Sequence, residues 1–461
     1  MLDVSVEFLT AIDADCREFM TRLSVYFDGD SNTLTDFNQD DYVISWELLE
    51  ESSDGSIKPA GSVSSNEMRI IFNNVNRDFT LTNADGPYYG KLHPGTKVVV
   101  EQALKTDDDP ETWEYVEMGT YRTSDWSAPS DSIEASVACY DKLKDKGNQS
   151  VPLIPTQQNI SYGMMFRLLF TALGLTPEEY NIDAGLTTEI RAGWFPAGTI
   201  FEVLKTLAEA AYAVVYVDRK NIIQVRSCSN VNAYVVEMTD NNQIINADNP
   251  QNYADIYSSV NIQYKNISVK PMDTILEIND LEIPAGGMTL TGLQFSDTPV
   301  IYCDYAQIMG AVNASVSSFN WGAWGCDITF ANTGATAETV NVMVMGRAFE
   351  ALSVTYIAED AAAKVLIGTR ELKIDNPFIQ SAAYAAVYAI KLLQAVTDTS
   401  PKAEVSIRGN PAAELSDTVR INDDTALITD LDIVPYQIRL AYDGGLDGKI
   451  LGRKASTLEV V

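Results

Sequence analysis

Short runs of alternating apolar and polar residues are the feature that most constrains the fold of this chain. One run places Leu23, Val25 and Phe27 between Arg22, Ser24 and Tyr26. Further runs have their apolar residues at Met68, Ile70, Phe72; Ile133, Ala135, Val137, Cys139; Val340, Val342, Val344; and Ala403, Val405, Ile407. A period of two places the apolar side chains on one face of a β-strand. Gly-containing turn pairs separate the early runs, so we expect sheet-rich structure at both ends of the chain.

The period changes from two to that of a helix between residues 151 and 230. Apolar residues at helical spacing are Phe166, Leu169, Phe170, Leu173 in one segment and Ile200, Val203, Leu204, Leu207, Ala208, Ala211 in the next. Gly174 follows the first segment as a helix stop, and Thr199 with Glu202 forms a capping box before the second. A hairpin is predicted over residues 215–225. These elements together predict a compact α+β module.

One more helix is predicted near the carboxyl end. Asn376 is its expected cap and Pro377 its first residue, a position where proline is favoured. Its apolar face is expected at Phe378, Ala382, Ala385, Ala389 and Leu393. The alanines on this face indicate close packing against a neighbouring element.

The fold class that these patterns predict is mainly β with an α+β module. A length of 461 residues favours about three domains, at about 150 residues per domain. The expected division is a first β-barrel or sandwich domain at 1–150, the α+β module at 151–230, and a second β-rich domain with one helix at 231–270 and 351–461. Residues 271–350 are expected to form a β-sandwich insertion.

The charge balance limits the kinds of partner that the chain can bind. Sixty-four acidic and 32 basic residues give a net charge of −32. Such a field repels nucleic acid and anionic membranes. It favours solubility, or a surface past which a polyanion moves without adhering. Neighbouring acids such as Asp423 and Asp424 are expected to be solvated in loops. The first residues lack a secretory signal pattern, and no apolar run is long enough to cross a bilayer, so assembly in a cytosol without a membrane span is expected.

The sequence contains no pattern that is typical of a catalytic site, a metal site or a cofactor site. His93 is the single histidine, so any Ser-His-Asp or Cys-His apparatus would depend on it. The five cysteines are scattered and offer no ligand spacing of a known kind. Asp28, Asp30 and Asn32 have the opening spacing of a calcium loop, but Thr33 replaces the required glycine. We therefore expect no enzyme activity, no metal and no cofactor.

Two tryptophans are the candidate binding residues. Trp321 and Trp324 lie close together in the predicted insertion. Exposed indoles can stack on sugar rings, which would suit glycan binding. Tryptophans in such a setting also fill a core or an interface. Both interpretations remain open at the level of sequence.

Ten fragments, in this order, resemble the tail-hub family of tailed bacteriophages. The fragments begin at Gly61 (GSVSSNEMRI), Leu92 (LHPGTKV), Met118 (MGTYRTSDW), Ala138 (ACYDKL), Gly193 (GWFPAGT), Tyr216 (YVDRKN), Ile374 (IDNPFI), Val405 (VSIRGNP), Leu415 (LSDTV) and Tyr442 (YDGGL). This family comprises the baseplate hub of contractile tails and the structural region of tail-associated lysins. The resemblance spans nearly the whole chain, and its specificity lies in the order of the fragments.

The resemblance implies a structural role in a virion. Hub subunits form a ring, usually of three, with two barrel-like hub domains per subunit. The ring joins the tail tube and distal tail protein to a spike or fibre, and its channel passes the tape measure protein and then DNA. Localisation at the virion tail tip or baseplate, after assembly in the host cytoplasm, is expected.

Two other functions are weighed against the structural hub. Tail-associated lysins continue into a lytic domain, whereas this sequence stops soon after Lys454, so we expect no lytic activity. The main alternative is a carbohydrate-binding adhesin or receptor-binding tail protein that uses Trp321 and Trp324. A cell-wall hydrolase is the third.

Overall fold

A computed structural model describes residues 1–27, 34–38, 42–108, 111–250, 255–398, 402–415 and 417–458. The predicted mainly-β fold with small helical parts is confirmed. The calcium-loop pattern at 28–33 lies outside the described residues. The predicted domain boundaries stay predictions.

The strands are distributed along the whole chain. The first are β1 (Phe19–Tyr26), β2 (Leu34–Asn38), β3 (Val43–Glu51), β4 (Glu67–Asn73), β5 (Lys97–Asp108), β6 (Glu111–Ser127), β7 (Glu134–Tyr140), β8 (Gln157–Ser161) and β9 (Tyr180–Ile182). Next come β10 (Glu189–Gly193), β11 (Ala213–Val217), β12 (Ile223–Ser227), β13 (Val236–Thr239), β14 (Ile244–Asp248), β15 (Ser259–Val269), β16 (Asp273–Ile283), β17 (Met288–Gln294) and β18 (Val300–Cys303). The last are β19 (Gln307–Met309), β20 (Ala314–Trp321), β21 (Gly325–Asn332), β22 (Glu338–Glu359), β23 (Glu371–Asp375), β24 (Lys402–Ile407), β25 (Val419–Asp423), β26 (Ile428–Tyr442) and β27 (Leu446–Lys454).

The described helices are few and short. They are α1 (Val6–Ile12), α2 (Lys142–Gly147), α3 (Tyr162–Ala172), α4 (Ile200–Ala210), α5 (Ala361–Ile367) and α6 (Ala382–Thr397). None of them is long and apolar enough to cross a membrane.

The largest sheet is built from both ends of the chain. Its strand order is β14-β24-β27-β26-β3-β4-β7-β6-β5-β1-β2, and β25 joins it through β26. The amino-terminal and carboxy-terminal strands meet where β26 pairs antiparallel with β3. Trp46 lies opposite Tyr442 in this pairing, and their rings stack with centroids 6.1 Å apart. One ladder of hydrogen bonds therefore continues from one end of the chain into the other.

The α+β module contains the two helices and the hairpin that the sequence predicts. The Thr199 side chain accepts from the Glu202 N–H, and the Glu202 carboxylate accepts from the Thr199 N–H, so the predicted capping box begins α4. Gly174 follows α3 with a φ of 75°, the left-handed conformation of a helix stop. The hairpin of β11 and β12 pairs through residues 213–227, and β12 also pairs in parallel with β9. The apolar faces of α3 and α4 are buried.

The predicted start of the last helix at Pro377 is wrong. Helix α6 begins at Ala382, and Ser381 is its cap, because the Ser381 side chain accepts from the Tyr384 N–H. The side chain of Asn376 makes three other hydrogen bonds. Its carbonyl oxygen accepts from the Phe378 N–H, and its amide group donates to the main chain of α4 at 2.8 Å and to Oε2 of Glu209 at 3.0 Å. A tertiary contact thus replaces the local cap that the sequence suggested.

A long ribbon connects the module with residues 271–350. Strands β15 and β16 follow one another along the 22-residue strand β22, which runs antiparallel to both. Strands β18 and β19 also pair with β22, and β17, β21 and β20 form a separate three-stranded sheet. The buried side chains Val340, Val342 and Val344 alternate along β22 as predicted.

Buried apolar side chains of the described residues gather in three clusters. The first follows the large sheet and combines residues from both ends of the chain. The second joins α3, α4 and the β11–β12 hairpin to α6 and β15. The third lies between the strands of residues 275–344. The first two cores therefore combine distant parts of the sequence, whereas the third is formed within one continuous region.

Candidate functional site

The two candidate tryptophans lie on either side of a tight turn. Trp321 ends β20, and Trp324 immediately precedes β21. Gly322 and Ala323 between them are buried, and the Ala323 carbonyl accepts from the Val300 N–H at 2.8 Å. Both indoles are half-buried, and Trp321 packs against the third apolar cluster. The turn thus docks into the protein, and both interpretations of these tryptophans, glycan binding and packing in a core or interface, stay predictions.

The single histidine lies in an exposed turn. The His93 ring nitrogen Nδ1 is 3.2 Å from the Pro94 carbonyl and 3.3 Å from the Thr96 hydroxyl. Its described hydrogen bonds include no carboxylate and no cysteine. The geometry around His93 is therefore that of a turn, without the partners that a nucleophilic triad requires.

The cysteines are free thiols. Burial raises the pKa of the Cys228, Cys303 and Cys326 thiols to about 12, and it raises that of Cys139 still further. A thiol with a raised pKa is a poor nucleophile and a poor metal ligand at neutral pH. Within the described ranges, no group of three His, Cys, Asp or Glu side chains could hold a metal ion.

A buried ion pair joins three parts of the chain. Arg219 lies at the turn of the β11–β12 hairpin and is 1% exposed. Its Nε donates to Oε1 of Glu50 at 2.8 Å, and its Nη2 donates to Oε2 at 2.5 Å. Its Nη1 donates to the carbonyl of Pro411, in the loop after β24. One guanidinium group therefore fixes the module against β3 and against the carboxy-terminal strands.

A second buried network lies on the same side of the module. The Asp141 carboxylate accepts from the Asn66 N–H at 2.7 Å, the Ser65 hydroxyl at 2.8 Å and the Leu143 N–H at 2.9 Å. Asn66 donates through its side chain to the Val217 carbonyl at 2.8 Å. Burial raises the pKa of Asp141 to about 6. These polar groups are occupied with each other, so they position the chain and are not available to a substrate.

Four of the fragments that carry the family resemblance meet in these networks. The fragment from Gly61 supplies Asn66, the one from Ala138 supplies Asp141, the one from Tyr216 supplies Arg219, and the one from Val405 supplies Pro411. Sequence reasoning did not select Arg219 or Glu50 as paired, because nothing local to either residue identifies its partner. The expectation that acidic pairs are solvated is also wrong at Asp423, which is 4% exposed and accepts from the Ala426 N–H.

A groove of about 880 Å³ crosses the large sheet where β26 and β3 pair. Its walls include four carboxylates and four cations: Glu47, Glu67, Asp125, Asp447 and Arg69, Lys144, Arg439, Lys449. This balance contrasts with the net charge of −32 for the whole chain. Charges of both signs suit contact with another protein surface of mixed charge.

The topology defines the class of fold, which is that of phage tail proteins. The 43 kDa tail protein of prophage MuSo2 from Shewanella oneidensis is similar over 95% of this chain and 100% of its own, with a TM-score of 0.53 and 12% identity. The tail protein from Neisseria meningitidis MC58 is similar over 96% of this chain and 100% of its own, with a TM-score of 0.53 and 9% identity. No protein-family model and no curated protein matches the sequence. The predicted resemblance is therefore confirmed at the level of the fold.

Proposed function

We propose that the protein is a structural subunit of a phage tail or a tail-like particle. The observation that carries the proposal is a fold shared with two tail proteins over nearly all of this chain and the whole of each of them. The proposed position is the hub at the distal tip, in a ring with three subunits as the expected number. The ring would join the tail tube or distal tail protein to a spike or fibre.

The internal construction of the chain supports a load-carrying role. A rigid subunit suits a position between a tube and a spike. The β3–β26 pairing unites both ends of the chain in one sheet, and Arg219 ties the module to that sheet. A hinge between these parts would require breaking a buried ion pair, which is costly.

The distribution of charge supports the proposed contacts. The groove across β3 and β26 has both signs of charge and suits a protein neighbour, so we propose it as a contact surface between copies. The net negative charge suits a channel that passes the tape measure protein and DNA in transit, since acidic walls do not retain a polyanion.

The test is the native mass of the purified protein, with negative-stain images of the same sample. A threefold ring with an open channel would support the hub. Because neighbours can be needed for assembly, the measurement is repeated across protein concentrations and with an added distal tail protein. If the protein stays a compact monomer under every condition and binds glycans saturably, the adhesin alternative is favoured instead.

A further inference from the structure

The second half of β22 has one edge that no described strand pairs with. In the first half, Val342 is paired with Ile278 of β16 and with Ile308 of β19, so both edges are occupied there. Pairing with β18 ends at Ala348. From Phe349 to Glu359 the described pairing of β22 is with β15 alone.

Two hydrogen bonds identify the direction of the backbone groups along this edge. The Phe349 N–H donates to the Pro299 carbonyl beside β18, which is the side away from β15. The Lys265 N–H of β15 donates to the Ile379 carbonyl, on the side away from β22. The backbone N–H and C=O of the preceding residue, Tyr264, therefore point toward β22. Because Tyr264 is opposite Val354, the backbone groups of the even-numbered residues of β22 form the hydrogen bonds to β15. The N–H and C=O groups of residues 351, 353, 355 and 357 therefore point to the open edge.

The open edge is sterically accessible and chemically unprotected. The six consecutive residues 350–355 are exposed, so their side chains are accessible to solvent while β15 occupies the other backbone edge. Residues 351–358 contain no charge and no proline, and the ladder with β15 runs through eleven pairs without a bulge. Proteins usually protect such edges with lysine, proline or a bulge. Leu352, Val354 and Ile357 add exposed apolar surface to the unpaired backbone.

We propose that this edge, residues 351–357 of β22, binds an extended segment of a partner protein as an added strand. The row of alternating N–H and C=O groups matches the backbone of an extended peptide. The apolar side chains favour alternate apolar residues in that peptide. The proposal goes beyond the hub function and does not depend on it.

The charges favour a basic partner segment over a second copy of this chain. Glu350 and Glu359 flank the uncharged stretch, and each remains at least half exposed while it pairs with a lysine of its own chain. A second copy that paired through the same stretch would bring its own Glu350 and Glu359 beside these carboxylates, and like charges placed side by side are unfavourable. The expected occupant is therefore an apolar strand with lysine or arginine at its ends.

The test is hydrogen–deuterium exchange at single-amide resolution on the full chain. Without a partner, the amides of residues 353 and 355 are expected to exchange rapidly, while those of 352 and 354 are protected by β15. The probe is a synthetic peptide of alternating valine and threonine with lysines at both ends. Saturating peptide is expected to slow exchange at 353 and 355 about tenfold or more, because an amide in a ladder exchanges only when the ladder opens.

Two controls separate strand addition from other binding. The same peptide with N-methyl groups on its pairing amides has the same charge and side chains but cannot donate, and it is expected not to protect the edge. In the protein, Thr355→Pro removes one N–H from the open edge, whereas Thr355→Val keeps it. Only Thr355→Pro is expected to weaken binding of the peptide.

Three results would overturn the proposal. One is protection of 353 and 355 in the isolated monomer. Another is protection that rises with protein concentration without peptide, which would identify a second copy as the occupant. The third is equal binding of the N-methylated peptide, which would show that the backbone edge is not what is recognised.

Discussion

Arg219 and Glu50 form a two-point ion pair inside the protein although 169 positions separate them in the sequence. The two side chains are 1% and 3% exposed. Removing both charges from water costs free energy, and their mutual hydrogen bonds offset that cost. Loss of one partner would leave the other buried without compensation, so this contact between the module and the large sheet is sensitive to substitution.

Arg219→Ala is expected to lower the free energy of unfolding by about 3 to 5 kcal/mol, because Glu50 then remains as an unpaired buried charge. Urea denaturation followed by circular dichroism measures the change. Arg420→Ala is the matched control, since Arg420 pairs with Asp432 near the surface. That variant is expected to lose no more than about 1 kcal/mol. Equal losses in both variants would contradict the assigned role of the buried pair.

Asp141 is expected to make stability depend on pH. Its pKa rises from 3.8 to about 6 on folding because of burial. Between these values the folded protein binds a proton that the unfolded chain has released, so stability falls as pH rises from about 4 to 6 and changes no further above 6. The difference amounts to about 3 kcal/mol. Asp141→Asn should flatten this slope in urea titrations at pH 4.5 and 7.

Glu202 provides the control of opposite sign for this pH effect. Hydrogen bonds from Thr199 hold the pKa of Glu202 below its ordinary value. The stability that Glu202 contributes is therefore present above its ordinary pKa and is lost as the pH falls through the lower pKa of the folded state. Glu202→Gln should therefore leave the decline between pH 4.5 and 7 in place. If stability still falls with pH in Asp141→Asn, groups other than Asp141 cause the pH dependence.

Helix α6 should not tolerate larger residues on its buried face. Ala389 is fully buried where α6 packs on β15 and β22. Ala389→Leu is expected to cost about 1 to 3 kcal/mol, because the added methylenes have no space. Ala383→Leu, on the exposed face of the same helix, is the control and should change thermal stability little. Tolerance at both positions would show that the packing is looser than described.

The groove across β3 and β26 is expected to contribute to assembly. Arg439 is exposed in this groove. Arg439→Glu is expected to shift the native mass toward the monomer while the unfolding transition is unchanged, because reversed charge at a contact disfavours association. Lys373→Glu, at a lysine that is 69% exposed outside the groove, is the control. If Arg439→Glu leaves the native mass of the assembly unchanged, the groove is not the contact between copies.

The tryptophans are expected to stabilise the fold and not to bind glycans. Trp321→Ala should lower the free energy of unfolding by about 1 to 3 kcal/mol, less than for a fully buried tryptophan. A glycan array of the unmodified protein should give no saturable signal. Saturable binding that disappears in the double variant Trp321→Ala, Trp324→Ala would instead support the adhesin alternative.

The sequence by itself determined the elements whose signals are local. The apolar stripe and the Thr199–Glu202 capping box predicted α4, and alternation predicted β1, β4 and β24. Side-chain period and capping act over a few residues, so one segment contains all the necessary information. The short helix α1 was not predicted, because seven residues give too little periodic signal.

Only the tertiary structure decided which distant segments meet. Asn376 looked like a helix cap, but its side chain bonds α4, and α6 begins at Ala382 with Ser381 as its cap. Arg219 looked like an ordinary turn residue, and its pairing with Glu50 depends on how three segments are brought together. The open edge of β22 is likewise not predictable from the sequence, since the residues of a strand do not specify whether both of its edges are paired. Contacts of this kind depend on chain topology, which no local pattern specifies.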